Sequence, residues 1–167
     1  WTSADSLERA PERRALETAT LAAGCFWSVE LIFQRTPGVI DTEVGYTGGD
    51  TIQPSYESVS TGRSGHAESV QLTFDPAVIS YEELLSIFFS IHDATQLNRQ
   101  GHDVGTQYRS AIFSHSPEQK SIAKHVLQHQ KGAVTQLLEA SDHQWYPAEI
   151  YHQKYLERAG QSAEKGS

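Results

Sequence analysis

The chain holds a single cysteine and no methionine among its 167 residues. One thiol excludes any intrachain disulfide, and with it the disulfide-stapled scaffolds of small secreted domains. Cations are also scarce: Lys and Arg number 13 against 21 Asp and Glu, a formal net charge of −8. That balance argues against general binding to a nucleic-acid backbone, which needs clustered positive charge. No apolar run approaches the roughly 18 to 20 residues that span a bilayer, and no signal-peptide core is visible. Gly (12) and Pro (6) stand at ordinary levels, and 38% of residues are apolar, so collagen-like, coiled-coil and disordered chains are excluded. Neither a P-loop nor a dinucleotide fingerprint occurs. What remains is a globular chain of one-domain size. It opens on Trp1 in place of Met, as a trimmed precursor would.

Residues 1–17 are charged and Ala-rich and read as a polar extension ahead of a domain over 18–167. A short strand, 18–23, precedes Gly24, and apolar positions 25, 26, 29, 32 and 33 then have helical spacing up to Pro37-Gly38. Residues 39–46 read as extended and 47–64 as a long Gly/Ser/Thr-rich loop. From His66 to Phe74 the pattern alternates, with Glu68 on the same side as Val70, Leu72 and Phe74. Ser80 and Glu83 form a capping-box pattern ahead of a helix to Ile91. A polar loop to Thr106, a strand over about 107–113 and a helix opened by Ser116-Pro117 and ended by Gly132 follow. Residues 133–139 read as strand and 148–158 as a last helix. This order suits an α/β (α+β) two-layer sandwich with a mixed sheet and a ferredoxin-like plait core, in one domain.

Three features carry chemistry. Cys25 stands at a strand-to-helix turn, where the first N–H groups of the helix favour an anion and should stabilise a thiolate. A small buried hydrophobe is the equal alternative, and Phe26 and Trp27 tilt the balance only by offering an apolar wall. Glu68 on an apolar strand face is costly unless paired or protonated, and a protonated carboxyl could donate a proton near neutral pH. The plainer reading pairs it with Arg63. The third feature is 101–109, where two glycines bracket Asp103 with Tyr108 just beyond; Tyr46 flanks the earlier loop and Tyr56 lies in it. Eight histidines raise the question of metal, but His125 and His129, one helical turn apart, lack the acid that follows in zinc motifs. No metal and no bound cofactor are expected.

Gly24-Cys25-Phe26-Trp27, Val44-Gly45-Tyr46-Thr47-Gly48-Gly49, Tyr56-Glu57-Ser58-Val59, Gly65-His66-Ala67-Glu68, the run 95–113 and Tyr151-His152-Gln153 together resemble the peptide methionine sulfoxide reductases of the A type. The resemblance covers roughly residues 20–156, and ordered motifs across one domain are far more specific than any one of them. It implies that Cys25 attacks the sulfoxide sulfur, that Glu68 protonates its oxygen, and that Tyr56 and Tyr108 hydrogen-bond that oxygen. Asp103 is carried over as a supporting polar residue, and Phe26 and Trp27 as holders of the S-methyl group. It further implies action on the S epimer of methionine sulfoxide, free or within oxidised proteins and peptides, through a cysteine sulfenic acid. Thioredoxin, or glutathione with glutaredoxin, would supply the thiol reductant. Two departures stand out. Ser28 replaces a frequent Gly, and no second cysteine follows to resolve the sulfenic acid. A lone reactive thiol suits a reducing compartment, so a cytoplasmic monomer without nucleic-acid or membrane partners is expected. The competing readings are a cysteine hydrolase or acyl transferase using His66 or His92, and a non-catalytic module that binds methionine sulfoxide peptides.

Overall fold

A computed structural model describes residues 16–165. β1 (Glu17–Ala23) buries its last five residues and ends at Gly24, whose φ of +96° turns the chain into α1 (Phe26–Gln34). Thr36 then donates its hydroxyl to the Ile32 carbonyl, and Pro37-Gly38 directs the chain into β2 (Val39–Thr47). Within the long Gly/Ser/Thr-rich loop lies α2 (Tyr56–Ser60), a single turn that the composition concealed. A reciprocal Ser55–Ser58 capping box closes it. β3 (Ala67–Phe74) leads to α3 (Tyr81–Ser90), where Ser80 and Glu83 exchange side-chain bonds of 3.0 Å with each other's backbone N–H. The polar loop after it folds into a small hairpin of β4 (Arg99–Gln100) and β5 (Asp103–Val104).

β6 (Ser110–Ser114) starts later than its hydrophobic pattern predicts. Thr106–Tyr108 coils into a 3₁₀ turn because the buried Gln107 side chain donates back to the Ser60 carbonyl at 3.2 Å. α4 (Pro117–Gln128) has Ser116 as its cap and Pro117 in its first turn. β7 is confined to Gln136–Glu139, and β8 to Tyr146–Pro147. The expected helix over 148–158 is broken. Ile150–His152 is a 3₁₀ turn, Lys154 takes a left-handed φ of +52°, and only α5 (Tyr155–Arg158) is helical. A tertiary contact outweighs helix propensity here. The Gln153 amide accepts from the Val44 N–H at 2.9 Å and donates to the Val44 carbonyl at 2.8 Å, which extends the sheet edge with a side chain.

The sheet runs β7-β6-β1-β3-β2-β8, with β6 and β7 parallel and every other pair antiparallel. Its middle four strands, with α1 and α3, make a β-α-β-β-α-β plait in one domain, which is the fold the element order indicated. One sheet face carries the main core, including Leu21, Val44, Leu72, Phe33, Leu84 and Phe88, all fully buried. The other face closes over the smaller cluster of Ala22, Ala67, Ala111 and Phe113. The expected extension, 1–17, lies outside the described residues except for its last two; Glu17 already belongs to β1. No helix among the described residues is long and apolar enough to cross a membrane.

The segment after β8 is fastened to the plait by a buried acid. Glu30, 1% exposed on α1, accepts from the Thr42 hydroxyl and from the Lys154 N–H, both at 2.7 Å. Removing the carboxyl strands two inward donors, so Glu30→Ala is expected to lower stability by about 2–4 kcal/mol. The check is the urea midpoint, and a loss below about 0.5 kcal/mol would show that the clasp is not needed.

Candidate active site

The site forms where β1 passes into α1. A side chain at position 24 would bring its Cβ within 2.9 Å of Gln100 Cβ, so glycine is what lets the β4–β5 hairpin lie over this turn. Cys25 is the N-cap residue of α1 and is half-buried. The helix start was expected to stabilise a thiolate, and the structure corrects this. Burial pushes the Cys25 thiol up to about 11, with the Glu68 and Asp103 carboxylates adding to the rise. The Trp27 and Ser28 N–H groups pull the other way and do not match it. The resting group is therefore a thiol at neutral pH.

Glu68, on β3, is 1% exposed. Its Oε1 accepts from the Phe26 N–H at 3.3 Å, while Oε2 is buried without a hydrogen-bond partner among the described residues. Among the described residues no cation meets it, so the pairing with Arg63 does not occur. Burial pushes its carboxyl up to about 7; the Phe26 N–H lowers it and Asp103 raises it further. Glu68 is thus an acid that exchanges its proton near neutral pH.

Aromatic rings wall the recess. Trp27 stacks on Tyr155 with centroids 4.0 Å apart and lies nearly parallel to Tyr56 at 6.4 Å. Behind them His152, 2% exposed, packs against Tyr56 at 4.4 Å and Phe26 at 5.4 Å. Trp27 Nε1–H donates to His152 Nδ1 at 2.9 Å, which assigns the imidazole proton to Nε2. Burial lowers the His152 pKa, in keeping with a neutral ring. Tyr56 opens α2, and its N–H donates to Glu149 Oε2 at 2.9 Å; Glu149 Oε1 accepts from the Tyr46 hydroxyl at 2.8 Å. Burial alone would raise the Glu149 carboxyl, but these two donors hold it below the usual range.

Tyr108 ends the 3₁₀ turn, and burial pushes its phenol up to about 12, aided by Glu68, Tyr56, Asp103 and Cys25. The Tyr56 phenol is raised by burial and then by Glu68. Asp103 sits exposed on β5, and its charge reaches Cys25, Glu68 and both phenols. The fold thus brings Tyr56, Glu68, Asp103 and Tyr108 close enough to Cys25 for their charges to bear on one another, with Phe26 and Trp27 next to the thiol in the chain. Sequence reasoning gave no role to Gln100, Glu149, His152 or Tyr155. The signal for that part of the wall was the segment Ala148-Glu149 to Tyr155, with Tyr151-His152-Gln153 inside it.

The histidines considered as bases are occupied elsewhere. His66 accepts from the Gly49 N–H at 3.1 Å and meets the Thr51 carbonyl at 2.7 Å through its other nitrogen. His92 bridges the Phe88 carbonyl and the Ser110 hydroxyl at 2.6 and 2.8 Å. His125 and His129 pack ring to ring, and no cluster of three or more His, Cys, Asp or Glu that could hold a metal occurs among the described residues.

A half-buried thiol, an acid that protonates near neutrality and an aromatic recess define a site for acid-assisted attack by sulfur. Residues 17–165 match the family model described as peptide methionine sulfoxide reductase. A relative from Geobacter sulfurreducens, peptide methionine sulfoxide reductase MsrA, is 49% identical over 156 residues, spanning 89% of this chain and 95% of its own. Methionine sulfoxide reductase A of Corynebacterium diphtheriae superposes with a TM-score of 0.82 at 34% identity, over 92% of this chain and 84% of that one. Mxr1 from Saccharomyces cerevisiae, solved in complex with Trx2, matches at a TM-score of 0.56 and 25% identity, over 85% and 86% of the two chains. The chain belongs to the peptide methionine sulfoxide reductase family, A type, and is an oxidoreductase that reduces methionine sulfoxide.

Proposed function

We propose that Cys25 is the nucleophile and Glu68 the acid in reduction of the S epimer of methionine sulfoxide, free or in oxidised proteins. The observation that carries this is the raised Glu68 carboxyl, hydrogen-bonded to the residue after the thiol and with its second oxygen unpartnered. A sulfoxide oxygen is a poor leaving group until protonated. The thiol proton passes to the Glu68 carboxylate, and Glu68 gives it to that oxygen as the Cys25 thiolate sulfur bonds to the substrate sulfur. The hydroxyl then passes from the substrate sulfur to Cys25 sulfur as the substrate S–O bond and the new sulfur–sulfur bond break, leaving a Cys25 sulfenic acid and free methionine. The cysteine sulfur loses two electrons, and the methionine sulfur gains them. Tyr56 and Tyr108 hydrogen-bond the oxygen, Asp103 supports the polar side of the pocket, and Phe26 and Trp27 enclose the methyl group.

With no second cysteine, the sulfenic acid condenses with an external thiol, releasing water and leaving a mixed disulfide that a further thiol opens. A thioredoxin is supported as donor by the Mxr1–Trx2 complex. Glutathione with glutaredoxin is the other route that a lone cysteine allows.

The test is a single turnover without reductant, using peptides bearing resolved S or R methionine sulfoxide. The expected yield is about one methionine per protein from the S epimer alone, with a trapped sulfenic acid on Cys25. Absence of product from either epimer, with the thiol titrated as free, would overturn the assignment.

A further inference from the structure

A second cleft, of about 480 Å³, opens on the side of the sheet away from the main helical core. None of the pocket residues described above lines it. Its polar wall is formed by Arg63, Asn98, Thr106, Arg109, Gln136 and His143, and no Asp or Glu lines it. Arg109 is the decisive residue. It is only 8% exposed and has no carboxylate partner among the described residues. Its Nε–H donates to the Gln136 side chain at 2.9 Å, its Nη1 to the Thr106 carbonyl at 2.9 Å, and its Nη2 to the Gly48 carbonyl at 3.5 Å. All three acceptors are neutral, and a guanidinium has five N–H donors, so two remain.

A buried cation without a counter-charge is costly, and this chain has acids to spare. Even so, none is placed here. Burial accordingly pulls the Arg109 pKa down with nothing to offset it. Space for the guanidinium is built into the backbone: a Cβ at Gly48, where φ is +92°, would fall 2.8 Å from Arg109 Nη2. Arg63, exposed at the rim, adds a second cation, and the His143 imidazole also lines the cleft.

We propose that this cleft binds a small, multiply charged oxyanion, held by the free N–H donors of Arg109 and by Arg63. The planar guanidinium fork matches the paired oxygens of phosphate and carboxylate alike. The site is separate from the Cys25 pocket and does not depend on the reductase mechanism. The two are neighbours along the chain. The stretch from Gly62 to Gly65 follows the helix bearing Tyr56, and the turn holding Thr106 and Arg109 carries Tyr108; the Thr106 hydroxyl ties the two by donating to the Gly62 carbonyl at 3.1 Å.

The experiment titrates the whole protein with inorganic phosphate, and separately with succinate, at constant ionic strength set by chloride, and follows backbone amide shifts. The expected result for at least one anion is saturable movement confined to the amides of Gly48, Gly62, Gly65 and Thr106 and their neighbours. Arg63→Ala, which removes no hydrogen bond of that side chain, should weaken the affinity at least about fivefold. Arg109→Gln should abolish it, and the rim variant keeps the test valid if that protein fails to fold. Shifts that merely follow ionic strength, that scatter beyond the cleft, or that are equal in Arg63→Ala would overturn the assignment.

Discussion

Glu68→Gln is expected to slow single-turnover reduction by about 10²- to 10⁴-fold, the range for loss of a positioned acid. The substitution keeps shape and the Phe26 contact but removes the transferable proton. Its pH dependence is more diagnostic than its size. With the carboxyl at about 7 and the thiol at about 11, the pair holds one proton between those values, resting on sulfur. The reacting form also holds one proton, but on the carboxyl. The native rate should therefore rise about tenfold per unit up to pH 7 and stay level above it. In Glu68→Gln the thiolate must form by itself, so the residual rate should climb through the alkaline range. A native rate that falls as pH rises through 7 would show that the thiol form attacks.

Stability should move the opposite way. A carboxyl whose folded pKa is raised makes the protein less stable as pH climbs from its unfolded value towards 7, and the penalty persists above. Converting the rise at about 1.4 kcal/mol per unit gives about 3 kcal/mol at pH 8, which Glu68→Gln should recover. Denaturant midpoints of both proteins at pH 5 and pH 8 would read this, and an equal difference at the two values would refute it.

Cys25→Ser carries the second large effect. Turnover should fall below detection, because a serine hydroxyl has neither the nucleophilicity nor the redox chemistry of sulfur. The aromatic recess is unchanged, so a methionine sulfoxide peptide should bind with native affinity, measured by tryptophan fluorescence or calorimetry. If binding survives and the native protein also turns nothing over, the chain is a recognition module. Continued reduction by the variant would remove Cys25 from the mechanism.

The plait was legible because its strands and helices have clean periods: β3 alternates, and α3 and α4 begin at Ser caps. Glu68 was legible as an anomaly, an acid on an apolar face. The thiol was misjudged because a helix start is a local feature of sequence, whereas burial depends on what packs over it. Gln100 on a hairpin and Glu68 from another strand are not visible from position 25. The wall built from Glu149 to Tyr155 reads in sequence as part of a helix over 148–158, whereas its actual shape comes from Gln153 bonding to Val44 and Lys154 to Glu30.

The rings beside Cys25 depend on partners that the ribosome makes late relative to them. Trp27 waits for a hydrogen-bond partner, and Tyr56 for its acceptor, more than ninety residues further along the chain. A nascent chain that has emerged only as far as β7 already holds every strand of the plait. It still lacks the imidazole and carboxylate that fix the rings beside Cys25. The oxidisable sulfur is thus made first, and its aromatic enclosure is completed only after every strand of the plait has been translated.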